Sequence, residues 1–246
     1  MQRTSSAFEP SGIAANLALV RDRIAQAAAR AGRRADEITL VAVSKTFPAE
    51  AIRMAYQIGV RHFGENRVQE WEAKSAQLED LQGATWHLIG HLQGNKAKKA
   101  ARQFDRVDSV DSLELARRLD AAAREAGRRL AILLEVKLGG EETKSGIAVA
   151  ELAATAEGVT SLESLELRGL MAIPPYFGDP ARARPFFREL RQLRDDLTRQ
   201  TNRELCVLSM GMSHDFEFAI EEGATEIRVG TALFGQRAKA GDAGQN

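Results

Sequence analysis

Hydrophobic and polar positions alternate between two rhythms along this chain. Ile13, Leu17, Val20, Ile24 and Ala27 recur at spacings of four and three, which lays an apolar stripe along an amphipathic helix that Gly32 would stop. The run ITLVAVSK after it is almost continuously apolar and rich in β-branched residues, the pattern of a strand buried on both faces. Pro48 opens a helical stretch, PAEAIRMAYQIG, that Gly59 closes. The same strand-then-helix unit recurs with different residues. VRHFGEN precedes a helix predicted through about residue 81, and TWHLIG precedes one over LQGNKAKKAARQF. RVDSV precedes DSLELARRLDAAAREAG, where Asp111 and Glu114 have the three-residue offset of a capping pair. LAILLEVKL leads to a helix at about 148–157, and LELRGLMAI to a long one with Ala183, Phe186, Leu190, Leu193 and Leu197 on one face. CVLSMG and TEIRVG complete the series, each with a short helical stretch behind it.

Eight units with no two strands adjacent in sequence predict a parallel sheet with helical crossovers. At 246 residues they suit a single (β/α)8 TIM-type barrel, usually about 250 residues long, here with an extra N-terminal helix. The alternative is an open doubly wound sheet. The first strand lacks the Gly-x-Gly-x-x-Gly turn that such sheets use for dinucleotides, which favours the barrel. Residues 1–10 and 239–246 are polar and small, without an apolar period, and are expected to be tails flanking one barrel domain at 11–238.

Composition narrows the function classes. Thirty-four basic residues balance 34 acidic ones, so no broad field draws the chain to nucleic acid or an acidic membrane. Cys206, the single cysteine, can form no intrachain disulfide, which fits a reducing cytoplasm. MQRTSSAFEPSG lacks the apolar core of a signal peptide, and no segment approaches the roughly 18 to 20 apolar residues of a membrane span.

In a parallel barrel, chemistry gathers at the C-terminal ends of the strands. Those ends carry Lys45, Asn66, His87 and His91, the run Ser209 to Ser213 that includes Met212, and Arg228, Gly230 and Thr231. Lysine is far scarcer than arginine here, so Lys45 at the end of LVAVS is either a desolvated nucleophilic amine or a rim lysine paired with a carboxylate. The Gly230–Thr231 step and the SMGMSHD loop supply backbone N–H groups and hydroxyls for a phosphate, or simply tight turns and a helix cap. Arg228 shares a strand face with Gly230 and would address a ligand ring or a buried carboxylate. Asn66 reads as an amide donor or a cap. No metal is expected, because no carboxylate-plus-histidine helix motif accompanies His87 and His91. Lys96, Lys98 and Lys99 read as a solvated helix face, and Lys144 in GGEETKSG as an exposed loop residue.

A lysine ending the first strand and a phosphate site at the last ones resemble the barrel shared by alanine racemase and eukaryotic-type ornithine decarboxylase. LVAVSKTFPAEAI, GVRHFGENRVQE, WHLIGHLQGNK, SVDSLELA, KSGI, LRGLMAIPP, LSMGMSHDFEFAI and IRVGTALFG, in order from about residue 12 to 235, resemble more closely the pyridoxal phosphate homeostasis protein family (YggS/PROSC-type). The resemblance implies that Lys45 carries pyridoxal 5'-phosphate (PLP) as a Schiff base. It also implies that Ser213, Gly230 and Thr231 hold the phosphate with the adjoining Met212, that Arg228 faces the pyridine nitrogen, and that Asn66 lies beside the cofactor. An arginine there discourages protonation of the ring and weakens it as an electron sink. Racemisation needs a second acid opposite the lysine. Of the two tyrosines, Tyr56 and Tyr176, only Tyr176, in the loop after the sixth strand, is a candidate. The expectation is therefore an open mouth with no second acid in place and no catalytic residues: a cytoplasmic, monomeric carrier or reservoir of PLP, supplying PLP-dependent apo-enzymes and affecting amino-acid and keto-acid metabolism indirectly. The alternatives are a racemase of restricted activity and a cofactor-free interaction scaffold.

Overall fold

The computed structural model describes residues 10–139 and 145–235; Lys144 and the expected C-terminal tail lie outside them. Among the described residues are nine strands, β1 Thr39–Val43, β2 His62–Glu65, β3 Thr85–Leu88, β4 Arg106–Val110, β5 Leu130–Lys137, β6 Ile147–Ala148, β7 Leu165–Met171, β8 Val207–Met212 and β9 Glu226–Val229, which alternate with helices except that the short β6 follows β5. The helices are α1 Pro10–Arg30, α2 Ala49–Gln57, α3 Val68–Ser75, α4 Ala97–Gln103, α5 Leu113–Glu125, α6 Val149–Thr160, α7 Arg184–Thr201, α8 Phe216–Glu221 and α9 Thr231–Phe234.

The strands pair in the order β4-β3-β2-β1-β9-β8-β7-β5, and a β4–β5 pairing closes the ring. All these ladders are parallel. This is the (β/α)8 barrel expected from the strict alternation, and the open sheet is excluded by the closure. Two-residue β6 hangs on β5 outside the ring. Because the ring has eight members, β1 and β5 stand opposite each other, four places apart by either route. The extra N-terminal helix packs on the last two units: Asn16 donates to the Leu233 carbonyl of α9 (3.0 Å), and Arg23 pairs with Glu217 of α8 (2.6 Å).

Side-chain alternation splits the barrel into two environments. Ile132, Leu134, Leu208, Met210, Ile227 and Val229 join the core shared with the helices. The intervening Leu133, Glu135, Ser209, Glu226 and Arg228 are buried too and point into the barrel. Its floor is ionic. The Arg106 guanidinium donates to both oxygens of Asp108 (2.6 and 2.9 Å) and to Glu226. His87 links Asp108 (3.3 Å) to His62 (3.0 Å).

Local differences from expectation have local causes. The helix after β2 stops at Ser75, and Leu78 and Leu81 bury themselves from turns instead. The cap of α5 is Ser112, whose Oγ accepts from Leu115 N–H at 3.2 Å; Asp111 bonds His91 (3.0 Å) rather than joining Glu114 in a capping pair. On α7 the fully buried aromatic is Phe187, with Phe186 only partly buried.

Candidate functional site

Lys45 lies one residue beyond the end of β1, after Ser44, and is half-buried. It sits in a tight turn in which Phe47 N–H donates to the Ser44 carbonyl (3.1 Å) and Thr46 takes φ of +66°, a region that β-branched residues avoid. Next to it in the ring is β9, in register Ala42↔Val229, so the ends of the two strands bring Lys45 and Gly230 to the same part of the rim. A Cβ placed on Gly230 would lie 3.4 Å from Val43 Cβ.

The backbone N–H groups of Gly230 and Ala232 both donate to Ser213 Oγ, each at 3.3 Å. Two amides converging on one oxygen form the start of an oxyanion cradle. Ser213 reaches them because the β8 loop is folded tightly: Asp215 accepts from Met212 N–H (2.7 Å), and Gly211, at φ +89°, lets the strand pass α8 so closely that a Cβ there would meet Ala219 Cβ at 2.6 Å. Burial pushes the Asp215 carboxyl above its usual range, against the pull of the Met212 amide. Met212 is half-buried and Thr231 exposed.

Arg228 lies beneath, 3% exposed, donating to Ser209 Oγ (2.6 Å) and to the Ala172 carbonyl (3.0 Å). Burial pulls its pKa down, while Glu226, Asp108, Glu135 and Asp215 hold it up; the group stays cationic. Asn66 does not cap α3, whose N-cap is Arg67. Its backbone is pressed against Gly90, where a Cβ would stand 2.4 Å from the Asn66 carbonyl oxygen. Asn66, His91 and Lys96 line a cavity of about 550 Å3. The structure thus gathers Lys45, Met212, Ser213, Arg228, Gly230 and Thr231 at the ends of β1, β8 and β9, with Asn66 two strands from β9 at the end of β2.

Other candidates separate from this group. His87 belongs to the floor. Its Nδ1 or Nε2 and the carboxylates of Asp108 and Glu226 lie within 4.8 Å of one another, the spacing of a cation site, but the Arg106 guanidinium already bonds both carboxylates. Lys98 and Lys99 pair with Glu125 (2.6 Å) and Glu72 (2.7 Å) on neighbouring helices, as a solvated face would. Tyr176 is 79% exposed, its ring 5.2 Å from that of His214.

Two features were not read from the sequence. Lys74, on α3, is buried and bonded to the turn that carries Lys45. Glu135, on β5, is 5% exposed; one oxygen accepts from Ser145 Oγ (3.1 Å), and Oε2 has no hydrogen-bond partner among the described residues. Burial pushes its carboxyl up, against the attraction of Arg228 and His91 and with the repulsion of Asp111. β5 stands opposite β1 in the ring, so this acid belongs to the strand across the barrel from the one that precedes Lys45. Alternation marks Glu135 as a barrel-facing position within LAILLEVKL, and a charge inside so apolar a strand was the available signal.

The alanine racemase N-terminal domain family matches residues 16–238. The pyridoxal phosphate homeostasis protein of Pseudomonas aeruginosa is 48% identical over 227 residues, covering 92% of this chain and 96% of that protein. That of Aquifex aeolicus is 46% identical over 221 residues, covering 90% and 96%. The solved structure of PipY from Synechococcus elongatus with PLP bound superposes with a TM-score of 0.82 at 45% identity, covering 91% of this chain and all (100%) of that one. With a barrel of this closure, a lysine at the end of β1 and two amides converging beside it, these matches place the chain in the alanine racemase N-terminal domain family, among the pyridoxal phosphate homeostasis proteins.

Proposed function

We propose that this protein binds pyridoxal 5'-phosphate through Lys45 and serves in PLP homeostasis, holding the cofactor and releasing it to PLP-dependent apo-enzymes. The observation that carries the reading is the convergence of the Gly230 and Ala232 amides on Ser213 Oγ beside β1, the strand that leads into Lys45. The names of the bacterial relatives and the PLP in the cyanobacterial structure point the same way.

The residues fit the group. When bound, PLP supplies an aldehyde that condenses with a primary amine, releasing water, and a phosphate that accepts from backbone N–H donors. Gly230 and Ala232 are aimed at a single oxygen that a phosphate oxygen can replace, with Ser213 and Thr231 adding hydroxyls. Arg228 is held by Ser209 and Ala172 and would offer a fixed cation to the ring nitrogen of a bound cofactor, disfavouring a proton there. Asn66 closes the β2 side. In this reading the chain works as a cytoplasmic monomer with little turnover, because Tyr176 stands out in solvent against His214. Restricted racemase activity is the second reading, and the buried carboxyl of Glu135 on β5, the strand opposite β1, favours it.

The test is the visible spectrum of the purified protein incubated with PLP, before and after borohydride, with peptide mass analysis. A band bleached by borohydride and cofactor mass on Lys45, both lost in Lys45→Ala at unchanged far-ultraviolet dichroism, is the expected result. No band and no adduct would refute the reading. Exchange of the α-proton of free amino acids in deuterated water, lost in Glu135→Gln, would favour the racemase.

A further inference from the structure

Lys74 is 6% exposed, the one lysine that is fully buried among the described residues. Its Nζ donates to the carbonyl oxygens of Ser44 (3.0 Å) and Phe47 (3.1 Å) and lies 2.7 Å from Glu65 Oε1, so all three ammonium donors are engaged. Ser44 Oγ donates to the same Glu65 oxygen at 2.6 Å. The two carbonyls flank Lys45 and Thr46, the middle residues of the tight turn at the end of β1. Thr46 holds φ of +66°, and a strained backbone of this kind persists only where its surroundings over-determine it. A simple tie between α3 and β2 would need only the Glu65 pair. Two of the three Lys74 bonds go instead to the ends of the turn that presents Lys45.

We propose that Lys74 is a positioning residue for Lys45: its ammonium clamps the Ser44–Phe47 turn in its strained form and so fixes the direction in which the Lys45 amine leaves the strand. The proposal rests on Lys45 as the point of covalent attachment. Capture of an aldehyde already anchored by its phosphate depends on the amine being aimed at it, so loss of the clamp lowers the rate of capture without altering the phosphate cradle at Ser213, Gly230 and Ala232.

The variant is Lys74→Met combined with Glu65→Gln, which removes the ammonium without leaving a buried carboxylate unpaired. Stopped-flow absorbance reads the rate of capture of PLP. Calorimetry reads the affinity for pyridoxine 5'-phosphate, which keeps the ring and phosphate but has an alcohol in place of the aldehyde. Capture slower by about tenfold or more with unchanged affinity for the alcohol is the expected split. Adding Thr46→Gly, which adopts positive φ without strain, then restores most of the rate. Wild-type capture in the double variant, or parallel loss of rate and of pyridoxine 5'-phosphate affinity, overturns the proposal. If the wild type captures no PLP, the cofactor reading fails separately. Lys45 labelling by a phosphate-free aromatic aldehyde with cyanoborohydride then decides: reduced labelling in the double variant supports the clamp, and unchanged labelling overturns it.

Discussion

Glu135 shows how one side chain can carry a free-energy cost that its neighbours do not remove. Its Oε2 is buried without a hydrogen-bond partner among the described residues, and Arg228 directs its own bonds to Ser209 and Ala172. Burial raises the carboxyl's pKa above the ordinary 4.5, so the folded protein favours the neutral acid. The associated stability is fully present below the ordinary value and lost as pH rises through the raised one. Glu135→Gln does not titrate. Without ligand it should melt above the wild type at pH 8, by about 2–4 °C for each kcal/mol relieved, and the gap should close as pH falls towards 4.5. Calorimetric melts at several pH values check this, and a gap independent of pH would contradict it. Residue type and strand phase made Glu135 readable in principle. Lys74 was less so, because its neighbours VQEWEAKS look like any surface helix turn, and its three acceptors come from segments up to 30 residues away.

At the scale of the element, most strands and helices follow from periodicity alone, while their ends depend on single hydrogen bonds. Asp111 and Glu114 have the spacing of a capping pair, but Ser112 takes the cap while Asp111 bonds His91 in the loop after β3. Ser112→Ala should therefore cost about 1 kcal/mol, read as a lower urea midpoint. Asp111→Ala should change it by less, since the His91 contact is exposed. The early stop of α3 has a similar origin. Lys74 sits in its last turn and bonds backward to the Ser44–Phe47 turn, and the chain leaves the helix to bury Leu78 and Leu81.

The whole molecule is a barrel with an ionic floor and a polar rim. Arg106 is the central cation of that floor, 12% exposed in its side chain against 0% for Asp108 and 2% for Glu226. Together Asp108 and Glu226 hold its pKa far above the ordinary range despite burial, and Arg106 holds Asp108 well below the usual carboxylate range. Arg106→Met leaves two buried carboxylates uncompensated and should cost about 3–5 kcal/mol, measured by urea unfolding. Replacing Asp108 and Glu226 by apolar residues in the same chain should recover much of the loss, and a cost below about 1 kcal/mol would show that the floor is wetter than its burial implies.

By itself the sequence determined the alternation of eight strands and helices, the barrel that follows from it, and the rim positions Lys45, Ser213, Arg228, Gly230 and Thr231. These are matters of local periodicity and of where strands end, and both are written in consecutive residues. Only the tertiary structure decided what lies opposite what. Ring closure sets β5, the strand that carries Glu135, across from β1. Packing of α3 on the end of β1 brings Lys74 under the turn that carries Lys45, and the floor assembles from four strands, β2, β3, β4 and β9. Such contacts join residues remote in sequence, and their partners are fixed by chain closure and burial, which no local pattern records.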